Sequence, residues 1–301
     1  MSSDLSQSNM RAAALMTASM AGYTFNDTAI KLLAGDVPLF QAVFLRGVFA
    51  SIFIYLLARH LGALKFDLPR RDWGLVVLRT LAELAATYLF LTALFNMPIA
   101  NVTAILQALP LTVALAAAVF LQEPLGWRRL GAILTGFAGV MLIVQPGGDG
   151  FSVWSLYALG AVGCITLRDL AARSLSRSTP TLTVSLVASV AICLGAGAAS
   201  ITETWAPIGF REFFLLFLAA CFILMGYLAS VAVMRVGEIG FVAPFRYTGL
   251  LWALILGWLV FGDWPDALTL TGAGIVVAMG LFTLFRERQL AQRRRKAKRT
   301  A

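Results

Sequence analysis

Along this chain, apolar stretches of about 20 residues alternate with short polar connections. Windows of that length, enough to cross the hydrocarbon core of a bilayer, fall near 12–33, 39–58, 73–95, 99–121, 128–145, 153–171, 182–201, 213–234, 239–261 and 267–285. The pattern predicts ten transmembrane helices. Composition agrees: 59% of the 301 residues are hydrophobic and only 13% are charged, about half the charged share of a soluble domain. No aqueous surface can be built from that supply. The first window resembles a secretion signal in position, but its length, Asp27 and Lys31 make it a permanent first helix.

The windows fall into two copies. Asp27-x-Ala29-x-Lys31, with Pro38 beyond, recurs at one constant offset as Asp169-x-Ala171-x-Arg173 with Pro180 beyond. The repeat continues with Tyr88-Leu89 against Tyr227-Leu228 and Val102 against Val242. Phe120 to Glu123 then matches Val260 to Asp263, and Gly131 and Gly139 match Gly272 and Gly280. Five helices per copy is an odd number, so the second copy must enter the membrane in the opposite sense. Loop charges test this. The turn after the fourth helix ends in Arg128 and Arg129, whereas its counterpart, Gly262 to Asp266, carries no basic residue. One turn is basic and its copy acidic, as opposite membrane faces require. The expected organisation is a tail over 1–10, a five-helix repeat over 11–145, a connector over 146–152, an inverted repeat over 153–285 and a basic tail over 286–301.

The net charge of +9 acquires its meaning from this topology. Arg59, Lys65, Arg70, Arg71, Arg128, Arg129, Arg173, Arg177 and the tail arginines all fall on one side, and the opposite loops hold only Lys31 and Arg211. By the positive-inside rule both termini are cytoplasmic in an inner (plasma) membrane. The tail can meet anionic headgroups; nothing accompanies it that would read nucleic acid.

The ordered set Phe120-Leu121-Gln122-Glu123-Pro124, then Gly131, Gly136 and Gly139, then Pro244-Phe245-Arg246-Tyr247 through Trp252 to Phe261-Gly262-Asp263-Trp264-Pro265-Asp266 resembles the EamA-type members of the drug/metabolite transporter superfamily. The resemblance covers about residues 11–285. Asp263 stands where the family pattern leads one to expect Glu. The resemblance implies secondary transport of small organic metabolites through a central cavity without ATP hydrolysis.

A charge at the centre of an inserted helix costs roughly 2.5–3.5 kcal/mol, so embedded charges face a partner or a cavity. Asp27 and Lys31, like Asp169 and Arg173, are four apart and share a helical face. Each pair reads as an ion pair or gate latch, one at each mouth, or as a substrate contact. Arg79 and Glu83 repeat that spacing in the third helix, close to the midplane, with no charged counterpart in the eighth. Glu83 could take up a proton or bind substrate, or Arg79 could simply neutralise it. Arg246 follows Pro244, which frees a backbone carbonyl. With Tyr247 beside it and Trp252 beyond, it could hold an anionic group, or pair with Glu238 or Asp169. Asn26, Tyr88 and Gln107 are further candidate binding residues, and Arg46 and Arg168 read as architectural. Gly131, Thr135, Gly139, Gly272 and Gly280 mark helix packing, within each half or at a dimer contact.

No metal-ligand or catalytic grouping accompanies the single His60, the three cysteines lie in helices, and Gly147 to Gly150 lacks the context of a phosphate loop. The expectation is a non-enzymatic, cofactor-free secondary transporter, monomeric or homodimeric. Its cargo is a polar metabolite with an anionic or zwitterionic group, possible partners being a proton and the lipid bilayer. Uptake of a cofactor-like compound is favoured over export of amino acids or drugs. A sensor or lipid-modifying protein is the alternative of a different class.

Overall fold

The computed structural model describes the chain except residues 1, 63, 65, 123–125, 148–150, 177–178, 237–241 and 301, and except the side chains of 2–9, 231, 234–236, 287–288 and 290–300. The described chain is helical throughout. Its elements are α1 (Ser2–Lys31), α2 (Leu39–His60), α3 (Arg70–Asn96), α4 in two pieces (Ile99–Leu106 and Leu109–Phe120), α5 (Trp127–Val144), α6 (Val153–Arg173), α7 (Thr181–Ser200), α8 (Phe210–Val236), α9 and α10 (Ala267–Thr300). The ninth element, α9, is composite: a 3-10 turn over Ala243–Tyr247, an α-helix over Thr248–Leu256 and a π-helical turn over Gly257–Phe261. Among the described residues, α2 to α10 each contain a stretch long and apolar enough to cross a membrane. Four helices begin directly after a proline, Pro38, Pro69, Pro98 and Pro180, where a missing N–H costs no intrahelical bond. The terminal helices α1 and α10 run on through residues expected to lie in tails.

Helix packing displays the inverted repeat. The most extensive contacts are α1 with α8, α3 with α6, α5 with α10 and α2 with α7. Advancing every helix by five exchanges the first two pairs and returns the last two to themselves, as a two-fold axis in the membrane plane demands. Inversion follows from residue order. A Cβ on Gly47 would lie 3.1 Å from Cys193 Cβ, and one turn later Ser51 hydrogen-bonds Ser189 at 2.9 Å. Numbers rise along α2 as they fall along α7, so equivalent helices run antiparallel.

The same symmetry governs the breaks. Pro110 lacks the N–H that would continue the ladder, and α4 is interrupted at Gln107 and Ala108. At the spacing that separates Val102 from Val242, Gln107 corresponds to Tyr247, where the 3-10 turn of α9 gives way to its α-helix. Both elements also end in the left-handed region, at Gln122 with φ 54° and at Gly262 with φ 71°. Glycine takes that conformation freely, and glutamine adopts it there at a steric cost. The matching Glu123 lies outside the described residues.

Two apolar cores flank the axis. One gathers Val102, Leu111, Ile133, Val140, Leu250 and Val276; the other gathers Ile30, Leu33, Leu91, Leu94, Ile99 and Leu216. Large apolar side chains such as Phe120, Leu194, Phe210 and Leu259 remain outside, as they must in a chain that meets lipid.

Of the glycines assigned to packing, Gly139 and Gly272 close the seam between the halves, Gly280 packs on Tyr247 within the second half, and Gly131 meets nothing within 4 Å. A Cβ on Gly139 would approach Gly272 O to 2.9 Å, and one on Gly272 would approach Gly139 O to 2.5 Å. Beyond α5, Gln145 Nε2 donates to Asp266 Oδ2 at 2.7 Å, and Asp266 Oδ1 accepts from Thr269 N at the start of α10. Those bonds, the backbone one foremost, hold the exposed Asp266 carboxyl below its ordinary pKa. Gly272→Ala is expected to lower the thermal unfolding midpoint, by overpacking that costs about 1–3 kcal/mol. Gly131→Ala, which meets nothing within 4 Å, should leave the midpoint unchanged or raise it. A detergent melt of the two variants checks this.

Candidate transport site

The embedded charges fall into two clusters and one remainder. The central cluster joins α3 to α6. Arg168 Nη1 contacts Glu83 Oε1 at 2.9 Å, Arg168 Nη2 contacts Asp169 Oδ1 at 2.8 Å, and Arg79 Nη2 reaches Glu83 Oε2 at 3.4 Å. Glu83 lies midway along α3, about 20 Å from either end at about 1.5 Å per residue. The set is electrically neutral, two arginines against two carboxylates. Arg168, expected to be architectural at a helix shoulder, is therefore the hub. Its signal was available: adjacency to Asp169, at a depth shared with Glu83.

The second cluster joins α1 to α2. Asn26 Nδ2 donates to Asp27 Oδ1 at 2.9 Å, and Arg46 Nη1 donates to Asn26 Oδ1 at 3.3 Å. Arg46 and Asp27 lie within electrostatic reach of each other. The spacing that carries Asp27 onto Asp169 carries Asn26 onto Arg168, whose Nε likewise donates to the neighbouring Asp169 Oδ1, at 2.9 Å. The duplicated aspartates are thus each held by the residue before them. Asn26 is only 3% exposed, so its expected substrate role gives way to this internal one.

The expected pairing of Asp27 with Lys31 is not what the fold builds. Lys31 Nζ donates instead to Leu94 O at 2.8 Å and Met97 O at 2.7 Å. The last carbonyls of α3 have no intrahelical donor, which makes them ready acceptors for a cation. Lys31 also lies 5.3 Å from the Phe261 ring centroid and within electrostatic reach of Asp263. It therefore braces α1 against the α3–α4 junction and the end of α9. Its counterpart Arg173 is exposed at the end of α6, near the opposite face.

Arg246 is the remainder. It stands exposed on the 3-10 turn of α9, and among the described residues no hydrogen bond or ion pair engages it. The proposed partner Glu238 lies outside the described residues, and Asp169 is engaged by Arg168. Arg246 and Arg168 both lie within electrostatic reach of Tyr23, as does Tyr227, and Ser185 hydroxyl donates to Tyr227 Oη at 3.3 Å. Side chains of α1, α6, α8 and α9 therefore converge on one place, one helix from the first repeat and three from the second.

Other expected binding residues are placed less centrally. Tyr247 is 6% exposed, and its hydroxyl is pressed against Gly280 of α10, because adjacent residues on a tight turn point in different directions. It does not share the space of Arg246. Trp252 packs on Phe25, which stacks on Phe222 at 5.1 Å. Tyr88 stacks on Phe40 at 5.7 Å while remaining 42% exposed. Gln107 is half-buried at the break of α4. No group of three or more potential metal ligands occurs among the described residues.

Sequence reasoning missed the ties at the two faces. At the spacing between Tyr88 and Tyr227, Asp72 corresponds to Arg211. Arg211 Nη1 contacts Asp36 Oδ2 at 2.8 Å, tying the α1–α2 turn to α8. Asp72 Oδ2 accepts from Thr179 at 2.6 Å and also from Ser176, tying α3 to the α6–α7 turn. One symmetric contact is ionic and the other is made of hydroxyls, so charge pattern alone could not pair them.

A bundle of inverted, antiparallel repeats with polar side chains of both halves meeting at mid-depth is the architecture of a polytopic membrane transporter. Residues 10–145 match the EamA-like transporter family. The chain is 28% identical over 230 residues to a riboflavin transporter of Vibrio cholerae, covering 76% of this chain and 77% of that protein. It is 26% identical over 287 residues to a pseudopaline exporter of Pseudomonas aeruginosa, covering 91% and 96%. An S-adenosylmethionine uptake transporter of Rickettsia bellii is 24% identical over 271 residues, with 90% and 92% covered. A solved structure of 18% identity superposes with a TM-score of 0.62 over 93% of this chain and 98% of its own, a likeness of fold. The first repeat is thus EamA-like, and along most of its length the chain is similar to metabolite transporters of the drug/metabolite superfamily.

If Arg168 is the hub, Arg168→Gln leaves two carboxylates facing Arg79 alone and should cost about 3–5 kcal/mol, the penalty for breaking a buried pair. Arg79→Gln, which removes a single 3.4 Å contact, should cost clearly less. Thermal or denaturant unfolding in one detergent compares them; equal losses would remove Arg168 from the centre of the network.

Proposed function

We propose that this protein is a secondary transporter that carries a small organic metabolite bearing an anionic or zwitterionic group across the inner membrane. The observation that carries this reading is Arg246, an embedded cation without a protein counter-charge among the described residues, beside Tyr23 at the meeting point of both repeats. The other central charges neutralise one another. A cation left over at such a place is completed by cargo. The guanidinium offers a planar fork suited to a carboxylate or phosphate. Tyr23 and Tyr227 supply neutral aromatic and hydroxyl groups at the same place.

Alternating access fits the packing. The units that move are α1 with α8 and α9, and α3 with α6 and α4, so each mixes helices from both repeats. Arg168–Glu83 lies within a unit and stiffens it, and Arg46–Asn26–Asp27 ties α2 to α1. Glu83, read from the sequence as a proton or substrate site or as a static partner of Arg79, has both carboxylate oxygens engaged, so we assign it to holding Arg168 in place. Lys31 crosses from one unit to the other and serves as the latch of the mouth opposite the basic face; Arg173 takes the equivalent place at the other mouth. Both termini lie in the cytoplasm, on the basic side.

Uptake is the favoured direction. Export is the second reading, because the relative named as an exporter aligns with 91% of this chain.

A thermal-shift screen of the purified protein against metabolites, followed by flux in proteoliposomes, identifies cargo and direction. Arg246→Gln should weaken binding of the hit by roughly 30-fold, equivalent to about 2 kcal/mol for an uncompensated partner, and Arg246→Lys should fall between it and the native residue. Unchanged affinity in both would move the anion site elsewhere. Separately, Lys31→Met should raise the labelling rate of a cysteine placed at Asn101 by an impermeant maleimide, in a background lacking Cys164, Cys193 and Cys221. No change would show that Lys31 bears no load in closure.

A further inference from the structure

The seam that Gly139 and Gly272 draw tight does not stay closed along its length. Toward the basic face a notch of about 200 Å³ lies between α5 and α10, lined by Arg128, Phe282, Phe285, Arg286 and Gln289. This is below the roughly 300–1,000 Å³ of a site that encloses a metabolite. Its chemistry is divided by depth. At the rim stand two guanidinium groups and an amide, with no carboxylate among the lining residues. Arg286 Nη1 donates to Gln289 Oε1 at 3.2 Å, and Arg128 lies 5.2 Å from the exposed Trp127 ring. Neither arginine is ion-paired among the described residues. Below the rim, Phe282 and Phe285 are 43% and 51% exposed, on the same face of α10 as Arg286 and Gln289 by their helical spacing.

A ligand for this notch must therefore carry a negative, fork-accepting group at one end and hydrocarbon at the other. We propose that it holds one anionic glycerophospholipid of the leaflet at the basic face, with its phosphate between Arg128 and Arg286 and an acyl chain along Phe282 and Phe285. Arginine meets phosphate through paired N–H donors. The apolar wall favours the lipid over a free anion. Because the notch is the open end of the contact between the two repeats, an occupying lipid wedges that seam and holds its splay. The site is separate from Arg246 and stands whether or not that residue binds cargo.

The test uses the full-length protein, stripped of lipid and placed in a phosphocholine environment, with phosphatidylglycerol titrated and retention read by native mass spectrometry. The native protein should retain phosphatidylglycerol over phosphatidylcholine. Arg128→Gln/Arg286→Gln should weaken that retention about fivefold for each arginine removed, with unfolding in phosphocholine alone unchanged. Arg128→Lys/Arg286→Lys should keep part of the preference. Arg59→Gln/Arg71→Gln, which removes two exposed arginines of the same face outside the notch, should have no effect. Equal loss in that control would overturn the site in favour of general surface charge, and equal retention of both lipids would overturn it outright. Stabilisation by inorganic phosphate alone, dependent on the same two arginines, would replace the lipid with a free anion and so refute the proposal.

Discussion

A guanidinium in the middle of a bilayer has no water to turn to, and almost everything about this molecule's interior follows from that. Each embedded charge must be matched by another charge, by orphan backbone carbonyls at a helix end, or by something that arrives from outside. Arg168 takes the first solution, with Glu83 and Asp169 at 2.9 and 2.8 Å. Lys31 takes the second, on the carbonyls of Leu94 and Met97. Arg246 has neither among the described residues, and that difference distinguishes a supporting residue from a recognising one more sharply than residue type or depth does.

Duplication provides the scaffold, and departures from it provide the chemistry. Where α6 crosses α3 the contact is Arg168 on Glu83; where α1 crosses α8, the equivalent crossing is Phe25 stacked on Phe222 at 5.1 Å. The aromatic crossing needs no counter-charge and tolerates sliding. The ionic one is directional and costly to break. Two units built on the same plan are thereby given different internal stiffness and different faces toward the centre. A perfectly symmetric dimer of repeats would have to present its cargo with two identical half-sites, whereas a single Arg246, as the proposed anion site, would grip one end of an asymmetric metabolite.

Much of the fold was legible in the sequence because membrane insertion leaves few choices. Window length sets the helices, Pro110 and Pro244 set the breaks, and the basic turn at Arg128 and Arg129 against the acidic turn at Asp263 and Asp266 shows the inversion. The candidate site was legible only in part. A spacing of four put Asp27 beside Lys31 on one face, but sequence spacing does not see the unpaired carbonyls of another helix, and those captured the lysine. It likewise put Tyr247 next to Arg246, yet a 3-10 turn sends neighbours apart, and the tyrosine is buried against Gly280. Arg168 was undervalued because its partner Glu83 belongs to the other repeat, where shared depth, and not spacing along one helix, is what could pair them.

The axis also explains why the glycines sit where they do. A rocking transporter needs one line along which its halves stay in contact while its mouths open and close. Helix backbones that touch directly, as at Gly139 and Gly272, can pivot with little change in contact, since no side chain must change rotamer as the angle changes. Interdigitated side chains would resist. On the proposed rocking motion, the notch between α5 and α10 lies toward the basic face from that pivot. A group that fills it would act away from the pivot, where it has the greatest leverage over the angle between the two halves.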